Sequence, residues 1–249
     1  MTDLPAGDYK IDVLWLAREA IRTFLDHWRL AVALGWAPLA LVFAAELVAA
    51  ALGGRTVAGI LLVGMVRGLG MIAFGSIFIV RWHRFVLRNE TGPGELFSPA
   101  WRLFVTAALK LALLMLGGML VIALILGLLP LFVAGPLAAI GFVALIAASV
   151  RVGLVFPAAA IERPITFRAS WDQLAGNGLR LFACAFLCYA PFLILRFFVD
   201  QIGMVSPTLI WIVLAGLSAA ITLAGASVVA TVLSDVYRNI AASAAGVEP

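Results

Sequence analysis

The sequence predicts an all-α polytopic integral membrane protein, with six transmembrane helices and two further helices lying along one membrane surface. Three observations predict it. Hydrophobic residues make up 64% of the 249 positions and charged residues only 12%, against roughly 45–50% and about 25% in soluble globular chains. The mean hydropathy is +1.13. The apolar residues are gathered into six stretches, each long enough for the ~20 residues that cross a bilayer core. A soluble fold of this size cannot hide so much apolar surface. A soluble enzyme, a disordered chain, a collagen-like chain and a disulfide-rich secreted module are therefore excluded. Every stretch is apolar on all sides and none alternates, so helices rather than barrel strands satisfy the backbone in lipid.

Taken in order, the chain opens with MTDLPAGDYK, which carries Asp3 and Asp8 where a signal peptide has basic residues. No small-residue cleavage pattern follows, so the first apolar run is expected to be a retained anchor. Residues 9–28 predict an interfacial helix. Leu14, Ala17, Ile21, Phe24 and Trp28 recur at helical spacing, opposite Asp12, Arg18, Glu19, Arg22 and Asp26. Such a helix either senses the membrane, docks a partner or caps the bundle. The spans are expected at about 30–52, 57–80, 103–126, 130–160, 181–199 and 208–233. All belong to one membrane domain over 1–249. Between the second and third, Thr91-Gly92-Pro93-Gly94 breaks the chain, and Ser98-Pro99 reads as an N-cap and first turn. The fourth starts near Pro130 or Pro136 and should kink or end at Pro157. Glu162-Arg163-Pro164 then turns into a second interfacial helix over 164–178, with Phe167, Trp171 and Leu174 opposite Arg168 and Asp172. Short outer turns are expected near Gly53-Gly54, from Leu129 to Gly135 and from Gln201 to Pro207.

Orientation follows from the basic residues. Lys10, Arg18, Arg22 and Arg29 precede the first span, and Arg81, Arg84, Arg88 and Arg102 lie between the second and third. Arg163, Arg168 and Arg180 lie between the fourth and fifth, with Arg151 just before them, and Arg238 follows the sixth. Only Arg55 and Arg196 fall on the other face. The bias places both termini in the cytoplasm. Basic residues in such small groups give no nucleic-acid surface. A weak repeat accompanies this layout: Trp28-Arg29-Leu30, Trp101-Arg102-Leu103 and Leu179-Arg180-Leu181 each begin an odd-numbered span.

Few residues carry chemistry. No H-E-x-x-H, phosphate loop or Ser nucleophile elbow occurs, and no pair of carboxylates suits acid–base work. No cofactor or metal is expected, and the chain is read as non-enzymatic. Cys184 and Cys188 share one helix face and read as small apolar packing residues. His27 and His83, beside Trp28 and Trp82, read as interfacial anchors. Gly64, Gly68 and Gly75 read as positions where another helix approaches.

The informative residues are the ionisable ones inside the membrane, because an embedded charge is costly and usually has a reason. They are Glu46, Arg67, Lys110 and Arg151. Arg67 is expected near the midplane. Glu46 and Arg67 belong to one hairpin at depths differing by roughly 6 Å at 1.5 Å per residue, so snorkelling could join them. The alternative is a cationic interior in which Arg67, Lys110 and Arg151 receive an anionic lipid head group or solute. Arg196 and Asp200, four apart, read as an ion pair at the outer end of the fifth span.

The stretch Arg151 to Phe182 adds a resemblance. It runs Arg151 to Pro157, then Ala158 to Glu162, then Ser170-Trp171, Leu174, Gly176-Asn177 and Arg180-Leu181-Phe182. With the closing Val236-Tyr237-Arg238, it resembles a poorly characterised bacterial six-helix membrane family. That family includes the membrane domain attached to some glycerophosphodiester phosphodiesterases. The resemblance implies a bacterial inner-membrane protein with cytoplasmic termini and no established reaction; no phosphodiesterase domain is expected here. The functional expectation is a non-enzymatic accessory or scaffold component in envelope or lipid homeostasis. Its expected partner is the lipid bilayer itself, with anionic lipid as the further candidate. The alternative is a transporter or channel for a small anionic or lipid-like substrate.

Overall fold

The structure is a computed structural model that describes residues 10–52, 56–92, 94–204 and 208–244. Among these residues the chain is helical, with no strand. The helices are α1 (Val13–Asp26), α2 (Trp28–Leu52), α3 (Val57–Gly70), α4 (Ser76–Arg88), α5 (Pro99–Leu126), α6 (Leu131–Arg151), α7 (Val155–Ala160), α8 (Phe167–Gln173), α9 (Gly178–Met204) and α10 (Thr208–Ala244). A π-helical turn, Met71–Gly75, joins α3 to α4. Six stretches are long and apolar enough to cross a membrane: Trp28–Ala49, Leu61–Arg88, Pro99–Leu126, Phe132–Ala160, Gly178–Gly203 and Thr208–Ser243.

α1 starts where Asp12 accepts hydrogen bonds from the backbone N–H groups of Leu14 and Trp15, an N-cap. Its buried residues are Leu16, Ala17 and Ala20, which pack against α9 and α10. Of the apolar stripe expected on this helix, Ala17 is buried within the protein while Leu14 and Ile21 are exposed. The reason is that two helices hold α1 from one side, and a stripe centred on Leu16 and Ala20 meets them. The lead-in is tied as well: Asn177 Oδ1 accepts from Ile11 N at 3.1 Å, and Arg180 donates to the Ile11 carbonyl at 3.3 Å.

The second span does not stop near Val80. It continues through Arg81, Trp82, His83 and Arg84 to Arg88, ending at Asn89 in the left-handed conformation (φ 55°), a common helix stop. Apolarity fails there while the helix does not, because α10 and the loop after α4 bury those polar side chains. The fourth span breaks at Val152 to Leu154, ahead of Pro157. Pro157 has no N–H for the carbonyl four residues back, Gly153, and its ring crowds that carbonyl. The chain therefore switches to tighter turns, with Phe156 N donating to Gly153 O. Pro157 itself sits in the first turn of α7, where the missing donor costs nothing. The second interfacial helix is only Phe167–Gln173, capped by Thr166. The expected outer turn near Gly53-Gly54 lies outside the described residues; of the one expected from Gln201 to Pro207, Gln201 to Met204 instead continue α9 and the rest lies outside the described residues. The remaining one is tighter than expected, since α6 already begins after Pro130.

Two hydrophobic cores hold the bundle. One joins α1, α9 and α10 around Leu16, Leu181, Cys184, Cys188, Val228 and Val232. The other joins α2, α4, α5, α7 and α10 around Leu34, Phe78, Trp82, Phe104 and Ala160. Both lie toward the end where α1 and the last turns of α10 meet, here called the basic end. At the far end the α5–α6 hairpin presents Leu124, Leu128 and Phe132 outward, each more than 70% exposed. Close helix approach falls at Gly70, where an added Cβ would sit 2.6 Å from the Ala45 Cβ. Gly64 and Gly68, expected to serve this purpose, face open space, and a Cβ at Gly75 would meet the side chain of Met71 in its own turn.

Candidate functional site

The four embedded charged residues are distributed, not gathered. Arg67 Nε lies 2.7 Å from Glu46 Oε2, so the hairpin α2–α3 carries the ion pair. The Arg67 side chain is 44% exposed and Glu46 17%. With the apolar stretch running from Leu61 to Arg88, Arg67 is about 9 Å from its far end at 1.5 Å per residue. Lys110 is exposed on α5 and makes no ion pair among the described residues. Arg151 closes α6 at the basic end. Its guanidinium carbon lies 4.0 Å from the centre of the Trp171 ring and its Nε donates to the Trp171 carbonyl at 3.2 Å, a cation–π clamp of α8 onto α6. Ser170 reinforces the clamp, donating to Arg151 O and accepting from Leu154 N. Arg196 meets Asp200 at 3.4 Å and also donates to Thr222 Oγ1 at 2.9 Å, tying α9 to α10. Among the described residues, Arg67 borders a cleft with Asp200, Gln201 and Trp211 that includes neither Lys110 nor Arg151.

The basic end holds what the sequence did not single out. Arg81, Arg84 and Arg88 stand at i, i+3 and i+7 on α4, one helix face. Arg84 Nε is 2.7 Å from Glu90 and its Nη1 3.1 Å from Glu162. Arg88 lies 3.7 Å from Glu90 and donates to the Ile161 carbonyl at 2.7 Å. Glu162 reaches this position from a left-handed backbone conformation (φ 62°), an uncommon state for a residue with a side chain. Arg81 differs. It is 9% exposed and bonds only to carbonyls, Leu34 O at 3.2 Å and Gly94 O at 3.4 Å, and its Nε has no partner. A cleft of about 240 Å³ opens beside it, lined also by Arg84, Glu90, Glu95, Trp101 and Glu162.

The π-helical turn shapes the wall of this cleft. A π turn leaves backbone groups out of register. Here the Ala73 carbonyl accepts from the Trp101 indole at 3.0 Å and from Ser76 Oγ at 3.1 Å. That bond fixes Trp101 of α5 against α4. On the opposite face of α4, Trp82 Nε1 donates to Thr231 Oγ1 at 2.9 Å and His83 Nδ1 lies 2.7 Å from Ser234 Oγ. His83 and Ser234 are 1% and 0% exposed. His83 is therefore a buried tie between α4 and α10, contrary to the interfacial anchor expected. The Ser234–His83 contact has no access for a substrate. His27 is exposed, its ring tilted against that of Phe85 with centroids 5.0 Å apart. Cys184 and Cys188 are free thiols, fully buried in the α1–α9–α10 core. Among the described residues no three His, Cys, Asp or Glu side chains gather where a metal ion could be held.

Helix content, span length and packing define an all-α, multi-pass membrane protein. No family model, curated protein or solved structure matches the chain.

Proposed function

We propose that this is a non-enzymatic accessory or scaffold protein of a bacterial inner membrane, acting in envelope or lipid homeostasis with both termini cytoplasmic. One observation carries the reading: two of the three embedded cations, Arg67 and Arg151, together with Arg196 at the outer end of α9, are spent on joining one helix to another. Arg67 holds Glu46, Arg151 holds Trp171 and Arg196 holds Thr222 and Asp200. A transporter for an anion would use such residues to line one path, and these point to separate faces. The motif stretch from Arg151 to Phe182 supports the same placement. Its Arg, Ser170 and Trp171 form the clamp between α6 and α8, which is a structural task. The partner is the lipid bilayer, and nucleic acid has no basic surface to meet.

The test is reconstitution of the full chain into liposomes. Flux of phosphate and glycerol phosphate should not exceed that of empty vesicles, and glycerophosphodiesters should not be hydrolysed. Cells lacking the gene should show altered lipid composition or envelope permeability, restored by the wild-type gene. Protein-dependent flux would establish the transporter instead.

A further inference from the structure

The cleft beside Arg81 contains an unbalanced pair of charges. A guanidinium keeps its proton in proteins, so burying Arg81 cannot neutralise it. Burial of a charge with only carbonyls for company is costly. Its neighbours on the same helix face are already matched, Arg84 by Glu90 and Glu162, and Arg88 by Glu90. Among the described residues no carboxylate lies within ion-pair distance of Arg81, and its Nε is buried without a partner. On the other wall Glu95 is exposed and forms no ion pair among the described residues. One positive and one negative group are thus left over in one cleft.

The remaining charges decide the class of guest. The lining holds Arg81 and Arg84 against Glu90, Glu95 and Glu162, so a purely anionic guest would meet a net negative wall. A zwitterion that carries a phosphate and a primary ammonium satisfies both unspent groups. The phosphate accepts from the planar guanidinium, and the ammonium donates to the carboxylates. We propose that this cleft binds a phosphoethanolamine group. The cleft lies at the basic end, at the depth where Trp101 and Trp28 begin their spans, a position characteristic of head groups. Phosphatidylethanolamine and soluble phosphoethanolamine share the chemistry. The proposal deepens the lipid-homeostasis reading, on which its choice of a lipid source rests.

The test uses delipidated full-length protein in neutral detergent. It is titrated with phosphatidylethanolamine, phosphatidylglycerol or phosphatidylcholine of matched acyl chains, or with soluble phosphoethanolamine. Retained ligand is read by native mass spectrometry and stabilisation by thermal unfolding. The wild type should retain phosphatidylethanolamine roughly tenfold more than the other two lipids, the ratio expected for one charge-assisted hydrogen bond. Phosphatidylcholine fails because its trimethylated nitrogen has no N–H to donate. Arg81→Gln should lose that retention about tenfold. Glu95→Gln, an exposed position whose change leaves folding intact, should erase the preference over phosphatidylglycerol and decides the matter if Arg81→Gln does not fold. Stabilisation by soluble phosphoethanolamine without retention of the lipid supports the site and assigns a soluble source. Equal retention of the three lipids, or an undiminished preference in Glu95→Gln, overturns the proposal. Protein-dependent flux in the liposome assay would overturn the scaffold reading and leave this binding result standing.

Discussion

Arg67 and Glu46 show what an embedded charge costs and how the chain meets that cost. The guanidinium cannot shed its proton, but the carboxylic acid can take one up, so the two single mutants are not equivalent. Interhelical polar contacts in membranes are worth about 0.6 kcal/mol on average and at most about 1.7. Arg67→Leu is therefore expected to lower the melting temperature by roughly 2–4 °C. Glu46→Leu should cost more, since it strands a permanent cation. The double change to Leu should regain most of the loss, and a double-mutant cycle of melting temperatures measures it. An additive cycle would mean the pair contributes nothing. The buried contact between His83 and Ser234 offers a second case. Ser234→Ala leaves a ring nitrogen without its partner in a closed site, at a cost of about 1–3 kcal/mol. The same change at the exposed Ser243, whose hydroxyl meets only a carbonyl of its own helix, should cost a few tenths. Thermal unfolding of the two variants in one detergent compares them.

At the scale of elements, the α2–α3 contact separates two glycines that look alike in sequence. A methyl group at Gly70 would overlap Ala45, whereas one at Gly64 meets nothing. Gly70→Ala should force the hairpin apart at a cost of about 1–3 kcal/mol. Gly64→Ala should be neutral or slightly stabilising, because alanine is the better helix former. Thermal unfolding distinguishes them, and equal effects would show that the hairpin does not close at Gly70. The π-helical turn is the other element with a visible partner. Trp101→Phe keeps the ring and removes the donor to Ala73 O, so it should cost about 1 kcal/mol. Amide exchange in detergent should then quicken between Met71 and Gly75 and stay unchanged in α9.

For the whole molecule, the packed cores lie toward the basic end and the α5–α6 tip is open. Cohesion should follow the same gradient. In detergent, the slowest-exchanging amides are expected in α4 and the last half of α10, and the fastest near Leu128. The basic-residue bias predicts cytoplasmic termini. A C-terminal reporter active only outside the cytoplasm should be silent, and the same reporter fused after Leu128 should be active. Reversed signals would invert the molecule in the membrane and move the Arg81 cleft to the opposite leaflet.

The sequence by itself determined the class of fold and the number of spans, and it put Glu46 and Arg67 within reach of each other in one hairpin, while leaving open whether they pair or Arg67 faces a cavity with Lys110 and Arg151. These depend on composition, on length against bilayer thickness and on depth along one helix pair, all local quantities. It also placed a turn between Pro157 and Pro164, because proline acts on its own backbone. It could not separate Arg81 from Arg84 and Arg88. The three read alike as basic residues beyond an apolar run, and their spacing says only that they share a face. Which one is buried, and which acids reach them, depended on Glu162 arriving from the end of the fourth span and Leu34 from the first. Those are contacts between residues far apart in the chain, and only tertiary packing sets them. For the same reason His83 was legible as a boundary histidine but not as a partner of Ser234, since α10 must first lie against α4.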